Sequence, residues 1–164
     1  MKQKFIELYM DWAKRCAQLS HARRLHVGAV IVKDDTVISY GYNGMPAGWD
    51  NNCEDEIGYV LDVDENVVEI RLKTKPEVLH AESNAIAKLA KSTNSGLGAD
   101  LFVTHSPCLE CAKLIYQSGI SRVWYGENYR DDAGVKFLRT SGVQVKELEL
   151  NDTTTTILDN NGPV

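Results

Sequence analysis

Two short segments carry most of the information in this chain of 164 residues: His80-Ala81-Glu82 and, 25 residues after Glu82, Pro107-Cys108-Leu109-Glu110-Cys111. Cys108 and Cys111 are three residues apart at the predicted start of a helix, so both sulfurs lie on one face. The N-terminus of a helix also lowers the pKa of a nearby thiol, which favours the thiolate that binds a metal. Two thiolates and one imidazole form the ligand set of a catalytic zinc, whereas a structural zinc needs a fourth protein ligand.

Glu82 is placed to act as a base at the same site. Two residues along a helix correspond to about 200° of rotation, so His80 is expected at the helix entrance and Glu82 on the open side of the metal. Zinc lowers the pKa of bound water to about 7, and a carboxylate can take and return the proton that hydrolysis must move. The combination of H-x-E with P-C-x-x-C is the signature of zinc nucleobase deaminases.

Three other interpretations of the motif remain open. A CxxC pair in a cytosolic α/β protein can be a redox pair, although this leaves the His80-Ala81-Glu82 segment unexplained. His105, three residues before Cys108, offers a fourth ligand for a purely structural zinc. The third interpretation is a non-catalytic, zinc-folded interaction module, and Glu82 argues against it because such a module does not need this residue as a ligand.

Composition and charge restrict the class of protein. The chain has 18 Lys and Arg against 23 Asp and Glu, a net charge of −5, which argues against a nucleic-acid polymer as partner. No apolar run approaches the roughly 20 residues of a membrane helix, and no signal peptide is evident, so we expect no membrane association and a cytoplasmic protein. The remaining cysteines, Cys16 and Cys53, stand alone in the sequence.

Helical and strand patterns alternate along the chain. Apolar residues from Phe5 to Leu19 recur at steps of three and four and predict a helix over about 5–20. Two apolar runs, 27–32 and 37–40, predict an antiparallel hairpin, followed by a Gly-rich loop at 41–48. Further helices are predicted at 81–90, 108–118 and 131–140, and further strands at 101–104, 123–125 and 143–145. This pattern is typical of a three-layer α/β domain.

Two segments interrupt this regular pattern. Residues 54–79 are predicted to be an insertion in a single domain spanning 1–150, with a small exposed hairpin near 59–72. Residues 151–164 are polar and predict a flexible C-terminal tail.

The chain resembles the deoxycytidylate (dCMP) deaminases of the zinc-dependent cytidine deaminase superfamily, and more closely their phage-type members. The resemblance extends from about residue 10 to residue 148. It rests on the two zinc segments and on three further pieces: Arg24-x-x-Val27-Gly28-Ala29-Val30-Ile31-Val32, Gly41-Tyr42-Asn43-Gly44, and Tyr129-Arg130. It implies a cytidine-deaminase-like α/β/α fold around a mixed five-stranded sheet.

The resemblance also implies an activity, the hydrolysis of dCMP to dUMP and ammonia, which supplies dUMP for thymidylate synthesis. His80, Cys108 and Cys111 would hold one catalytic Zn²⁺ per chain, and Glu82 would transfer protons to the cytosine ring and the departing amine. By similarity, the substrate contacts would come from four residues: Asn43, Arg24, Tyr129 and Arg130. Arg24, Gly44 and Tyr129 are candidates for contacts to a nucleotide effector.

Family members are commonly homohexamers that dCTP activates and dTTP inhibits together with Mg²⁺, so the resemblance allows such partners here. Some phage members hold a second, structural zinc, but Ala22 occupies the position of one of its cysteine ligands and Cys53 that of another. We therefore expect a single zinc. Related alternatives are a tRNA adenosine deaminase, which the net charge disfavours, and the nucleoside and riboflavin-pathway deaminases, which the Arg24 and Asn43 segments disfavour.

Overall fold

The structure, a computed structural model, describes residues 1–129, 131–150 and 155–158. In chain order its elements are α1 (Gln3–Ala17), β1 (Gly28–Lys33), β2 (Thr36–Tyr42), β3 (Glu54–Leu61), β4 (Val67–Thr74), α2 (Ala81–Leu89), β5 (Asp100–His105), α3 (Leu109–Gln117), β6 (Arg122–Glu127), α4 (Ala133–Thr140), β7 (Gln144–Leu150) and β8 (Thr155–Leu158).

The main sheet has the strand order β2-β1-β5-β6-β7-β8. Pairing is antiparallel between β1 and its two neighbours, and parallel from β5 through β6 to β7. The first five strands form the mixed sheet that was predicted. The sixth strand, β8, pairs antiparallel with β7 within the stretch predicted to be a flexible tail. The rest of that stretch lies outside the described residues.

Helices cover both faces of the sheet and confirm the three-layer prediction. One face packs against α1, and the other packs against α2, α3 and α4. Strand β1 lies between β2 and β5 and is buried along almost its whole length, which explains why its sequence is a continuous apolar run and not an alternating one. None of the described helices has the length and apolarity needed to cross a membrane.

Helix α1 differs in detail from its prediction. It ends at Ala17, and it buries Ile6, Met10 and Ala13, whereas Leu8 and Trp12 of the predicted apolar stripe are about half exposed. A close approach to the sheet selects the buried face. A Cβ atom on Gly28 of β1 would lie 2.0 Å from the carbonyl oxygen of Ala13, so only glycine fits at position 28, where this helix crosses the strand.

The predicted hairpin in residues 54–79 is present and is longer than expected. Its strands β3 and β4 pair antiparallel and form a separate two-stranded sheet. Most of the hairpin is exposed, but its first residue, Glu54, is buried. The base of the hairpin therefore belongs to the body of the protein while its strands extend into solvent.

Candidate metal centre and adjoining cavity

The residues of the two motifs meet where α2 and α3 begin. His80 is the N-cap of α2 and has an extended backbone, as expected for a residue at the helix entrance. Cys108 is the N-cap of α3, so the helix begins one residue later than the predicted range of 108–118. Cys111 lies in the first turn of α3 and is buried. The N-termini of two neighbouring helices thus supply the whole cluster.

The geometry of the cluster fits zinc. The Nδ1 atom of His80 lies 3.6 Å from the Sγ of Cys108 and 3.4 Å from the Sγ of Cys111. Tetrahedral zinc, with bonds of about 2.0–2.3 Å to nitrogen and sulfur, places its ligand atoms about 3.3–3.8 Å apart. Among the described residues, these three form the one group of His, Cys, Asp and Glu side chains whose ligand atoms converge in this way.

The charge state of the sulfurs also suits a metal. The hydrogen bonds from Cys111 and His80 lower the pKa of Cys108 to about 3, which favours the thiolate. The same contact with Cys108, together with burial, raises the pKa of Cys111. Metal binding displaces the remaining thiol proton because the ligand is the thiolate. Of the side chains that the structure describes, three converge as ligands, so a bound ion would keep a position open for water or substrate.

Glu82 adjoins the cluster without being part of it. It is the second residue of α2 and is only 4% exposed. Burial raises the pKa of its carboxyl group to about 6, close to the value that a proton carrier needs near neutral pH. The position and environment of Glu82 therefore suit proton transfer.

A cavity of about 540 Å³ opens beside the cluster, a volume typical of small-molecule sites. Seven of the candidate site residues from the sequence line it: Arg24, Asn43, His80, Glu82, His105, Cys108 and Tyr129. Cys111 is buried behind this wall, and Gly44 is not among the lining residues. Arg130 lies outside the described residues.

Asn43 is turned towards the protein backbone. Its Oδ1 atom accepts a hydrogen bond of 2.8 Å from the Val27 amide, and its Nδ2 atom donates one of 2.8 Å to the Leu25 carbonyl. The side chain therefore holds the loop that carries Arg24 beside the cavity. This arrangement adds a positioning role to the substrate contact that the resemblance implies.

His105 does not join the metal cluster. Its Nε2 atom lies 3.3 Å from a carboxylate oxygen of Glu127, and its Nδ1 atom lies 3.1 Å from the hydroxyl of Thr104. Both ring nitrogens have partners other than the cluster, which argues against the structural-zinc interpretation with His105 as a fourth ligand.

The sequence analysis missed the polar lining residues Glu54, Thr74, Ser106, Glu127 and Asn128. Ser106 immediately precedes the cysteine motif, and this position in the sequence could have identified it as a candidate site residue. Its hydroxyl accepts a hydrogen bond of 2.7 Å from the Tyr129 amide and so joins the two loops on that side of the cavity. Glu54 and Thr74 carry no such signal, because only the folding of the hairpin brings them to the cavity.

A glycine allows strand β2 to pack against the helix that carries His80 and Glu82. Strand β2 extends to Tyr42, so Gly41 lies in the strand and not in the predicted loop. A Cβ atom at position 41 would lie 2.1 Å from the carbonyl oxygen of Ala81. Gly41 is therefore required by close packing against the first turn of α2.

The position of the second zinc found in some family members is apolar here. Ala22, Cys53 and Val78 are all buried and pack together, with Met45 against them. Cys53 carries the one thiol of this cluster, and among the described residues no group of three converging His, Cys, Asp or Glu side chains includes it.

Comparisons with known proteins agree with this geometry. The family described as the cytidine and deoxycytidylate deaminase zinc-binding region matches residues 3–127. The deoxycytidylate deaminase of Enterobacteria phage T4 is 37% identical over 150 residues, covering 73% of this chain and 77% of its own. The ComE operon protein 2 of Bacillus subtilis is 36% identical over 147 residues, covering 89% and 72%.

A similar solved structure is the dCMP deaminase of cyanophage S-TIM5 in complex with dCMP and dUMP. It has a TM-score of 0.77 and 40% sequence identity, and the match covers 90% of this chain and 98% of that one. The family match spans both metal-binding segments, and the structural match extends over most of the fold that positions them. This chain belongs to the cytidine and deoxycytidylate deaminase family.

Proposed function

We propose that the protein is a zinc-dependent dCMP deaminase that converts dCMP and water to dUMP and ammonia. The observation that carries this proposal is one cavity that joins the His80, Cys108 and Cys111 cluster to a buried carboxylate, Glu82, and to a cationic side chain, Arg24. A similar protein from cyanophage S-TIM5 binds dCMP and dUMP, which supports this choice of substrate. Residues 1–150 would act as one catalytic domain.

In the proposed mechanism His80, Cys108 and Cys111 hold the metal, and a bound zinc ion supplies a water-derived nucleophile at neutral pH. Glu82 takes a proton from the attacking water and delivers it to N3 of the cytosine ring. It then carries the second proton of the same water to the amino group at C4. The C4–N bond breaks and ammonia leaves. Glu82 is only 4% exposed, which limits the contact of its carboxyl group with bulk water.

The phosphate of dCMP would be bound by cationic and polar side chains that line the cavity. Arg24 suits this role because a guanidinium group binds phosphate oxygens through two parallel hydrogen bonds. Tyr129 lines the same cavity, and the chain continues from it into Arg130. Asn43 supports Arg24 by fixing the loop before β1.

Regulation and assembly are also proposed from the family resemblance. The protein would form a homohexamer, with dCTP as activator and dTTP with Mg²⁺ as inhibitor, and Arg24, Gly44 and Tyr129 would contact the effector. Sedimentation in the presence and absence of each nucleotide, combined with initial-rate measurements, tests both parts of this proposal.

We predict one zinc per chain. Elemental analysis of the purified protein should give about one mole of zinc per mole of chain, and the Cys111→Ala variant should lose most of it. Cys53→Ala is the matched control and should keep its zinc, because Cys53 packs in the apolar cluster. Two zinc ions per chain, or zinc loss in Cys53→Ala, would show that the apolar cluster also binds metal.

Substrate preference gives a direct test of the proposed function. Among cytidine, deoxycytidine, CMP, dCMP, dCTP and a short single-stranded oligonucleotide, dCMP should have the highest kcat/KM, measured as ammonia release. Arg24→Ala should raise the KM for dCMP about ten- to a hundredfold, the effect of losing a hydrogen bond to a charged group. It should leave kcat/KM for deoxycytidine nearly unchanged.

Arg23→Ala is the control for charge. Arg23 pairs with Glu56 at 3.0 Å and does not line the cavity. Its loss should change the KM for dCMP by less than about threefold, because exposed ion pairs contribute little. A preference for the oligonucleotide would instead favour an editing deaminase, and a preference for deoxycytidine would favour a nucleoside deaminase.

A further inference from the structure

The base of the β3–β4 hairpin forms part of the cavity wall. Glu54, the first residue of β3, and Thr74, the last residue of β4, are paired across the hairpin. Both line the cavity, whereas no residue of the exposed strands between them does. The two ends of the hairpin are also joined by a hydrogen bond of 2.9 Å from the Lys75 amide to the Cys53 carbonyl. The hairpin therefore lines the cavity only at its base, where its two ends are hydrogen-bonded to each other.

Both of these residues hold Arg24. The carboxylate of Glu54, which is 2% exposed, accepts hydrogen bonds from two successive backbone amides, Arg23 at 3.0 Å and Arg24 at 3.3 Å. The hydroxyl of Thr74 accepts a hydrogen bond of 2.9 Å from Nη1 of Arg24. One strand of the hairpin thus fixes the backbone of Arg24, and the other fixes its side chain.

This arrangement matters because an unrestrained arginine is costly to order. An arginine side chain carries about 2 kcal/mol of rotamer entropy, and binding is stronger when that freedom has been lost in advance. The guanidinium group has five N–H donors, and Thr74 uses one of them, so four remain for a ligand. The two oxygens of Glu54 are directed at backbone amides, which limits the repulsion that a buried carboxylate would exert on an anionic ligand.

We propose that Glu54 and Thr74 are positioning residues that set the preference for a phosphorylated over an unphosphorylated substrate, by holding Arg24 in a conformation ready to bind phosphate. This inference rests on the proposed function, because it assigns Arg24 to the substrate phosphate. It gives the base of the hairpin a role in specificity. Neither residue touches the reacting atoms, and both act through Arg24.

The main test compares Thr74→Val with Thr74→Ser. Valine has nearly the shape of threonine but lacks the hydroxyl, whereas serine keeps it. Thr74→Val should raise the KM for dCMP about tenfold, with kcat and kcat/KM for deoxycytidine nearly unchanged. Thr74→Ser should restore most of the wild-type KM. Both variants should keep the zinc content and thermal midpoint of the wild type, because Thr74 is only partly buried.

A second variant tests the backbone contact. In Glu54→Gln the amide group can accept from only one of the two backbone amides, so the KM for dCMP should again rise about tenfold while kcat is kept. If Thr74→Val leaves KM unchanged, or lowers kcat equally for dCMP and deoxycytidine, the side-chain part of the proposal is wrong. If Glu54→Gln lowers KM, its charge matters more than its position and the backbone part is wrong.

Failure of the proposed function has a different signature. If the wild-type protein does not deaminate dCMP, or if Arg24→Ala leaves the preference for dCMP over deoxycytidine unchanged, then Arg24 does not bind the substrate phosphate. In that case the premise fails whatever the hairpin variants do. If Arg24→Ala lowers the preference and the two hairpin variants do not, only the positioning role is overturned.

Discussion

Replacing Glu82 by glutamine is expected to lower kcat for dCMP by about 10²–10⁴ while leaving one zinc per chain. Glutamine keeps the size and shape of glutamate, so the buried position at the start of α2 should tolerate it. It cannot take a proton from water and return it to the ring, so the transfers assigned to Glu82 should stop. Ammonia release under saturating dCMP, together with elemental analysis of the same sample, checks both parts of this prediction.

Glu110→Gln is the matched control for this experiment. Glu110 also lies in the first turn of a helix that carries metal ligands, but its side chain is exposed and pairs with Lys113 at 2.7 Å. Its loss should change kcat by less than about twofold. Wild-type activity in Glu82→Gln would overturn the proposed mechanism, and loss of zinc from this variant would show that Glu82 acts as a ligand and not as a proton carrier.

Each half of the His80, Cys108 and Cys111 cluster was predictable from the sequence because its geometry is local, and the motif signature links the two halves. His80 and Glu82 lie within one turn, Cys108 and Cys111 lie within another, and rotation along a helix fixes which residues can converge. The core strand β1 was predictable for a similar reason, since a continuous β-branched run indicates burial on both faces.

The sequence could not reveal contacts that depend on distant parts of the chain. Glu54 meets the amide of Arg24 from 30 residues away, and it does so only because the hairpin folds back to the body. The neighbouring acidic residues Asp55 and Glu56 have the same chemistry and remain exposed. Burial, and not residue type, separates Glu54 from them.

The packing of helices against strands was also difficult to predict from the sequence. The predicted apolar stripe of α1 was right in part: Tyr9 is buried and Phe5 and Cys16 pack against the core, but Leu8 and Trp12 are about half exposed. The buried face also carries Ala13 and Ala17, where the helix backbone lies close to Gly28. Hydrophobic periodicity gives weight to large apolar residues and therefore did not identify these small ones.

A close approach of the same kind supports the metal cluster. Gly134 lies in α4 against the turn that begins α3, and a Cβ atom there would lie 2.1 Å from the Pro107 carbonyl oxygen and 2.8 Å from the Cys108 carbonyl carbon. These neighbours are backbone atoms, so no side chain can rotate away to make room. The Cys108 carbonyl also accepts the first hydrogen bond of α3, at 2.9 Å from the Ala112 amide. Any displacement at this point therefore moves Cys108, one of the three proposed metal ligands.

Gly134→Ala is therefore expected to destabilise the fold by about 3 kcal/mol, the upper end for overpacking, and to lower the thermal midpoint by roughly 6–12 °C. Zinc content should fall with it, because the added methyl group displaces the turn that carries Cys108. Gly58→Ala is the control, since a Cβ atom there meets only the flexible end of Arg71 at 3.9 Å. Calorimetry should show the lower thermal midpoint, and elemental analysis the lower zinc content, in Gly134→Ala and not in Gly58→Ala. If Gly134→Ala keeps its thermal midpoint and its zinc, α4 can move away without disturbing the proposed metal ligands. The close packing of α4 against the start of α3 would then not position Cys108.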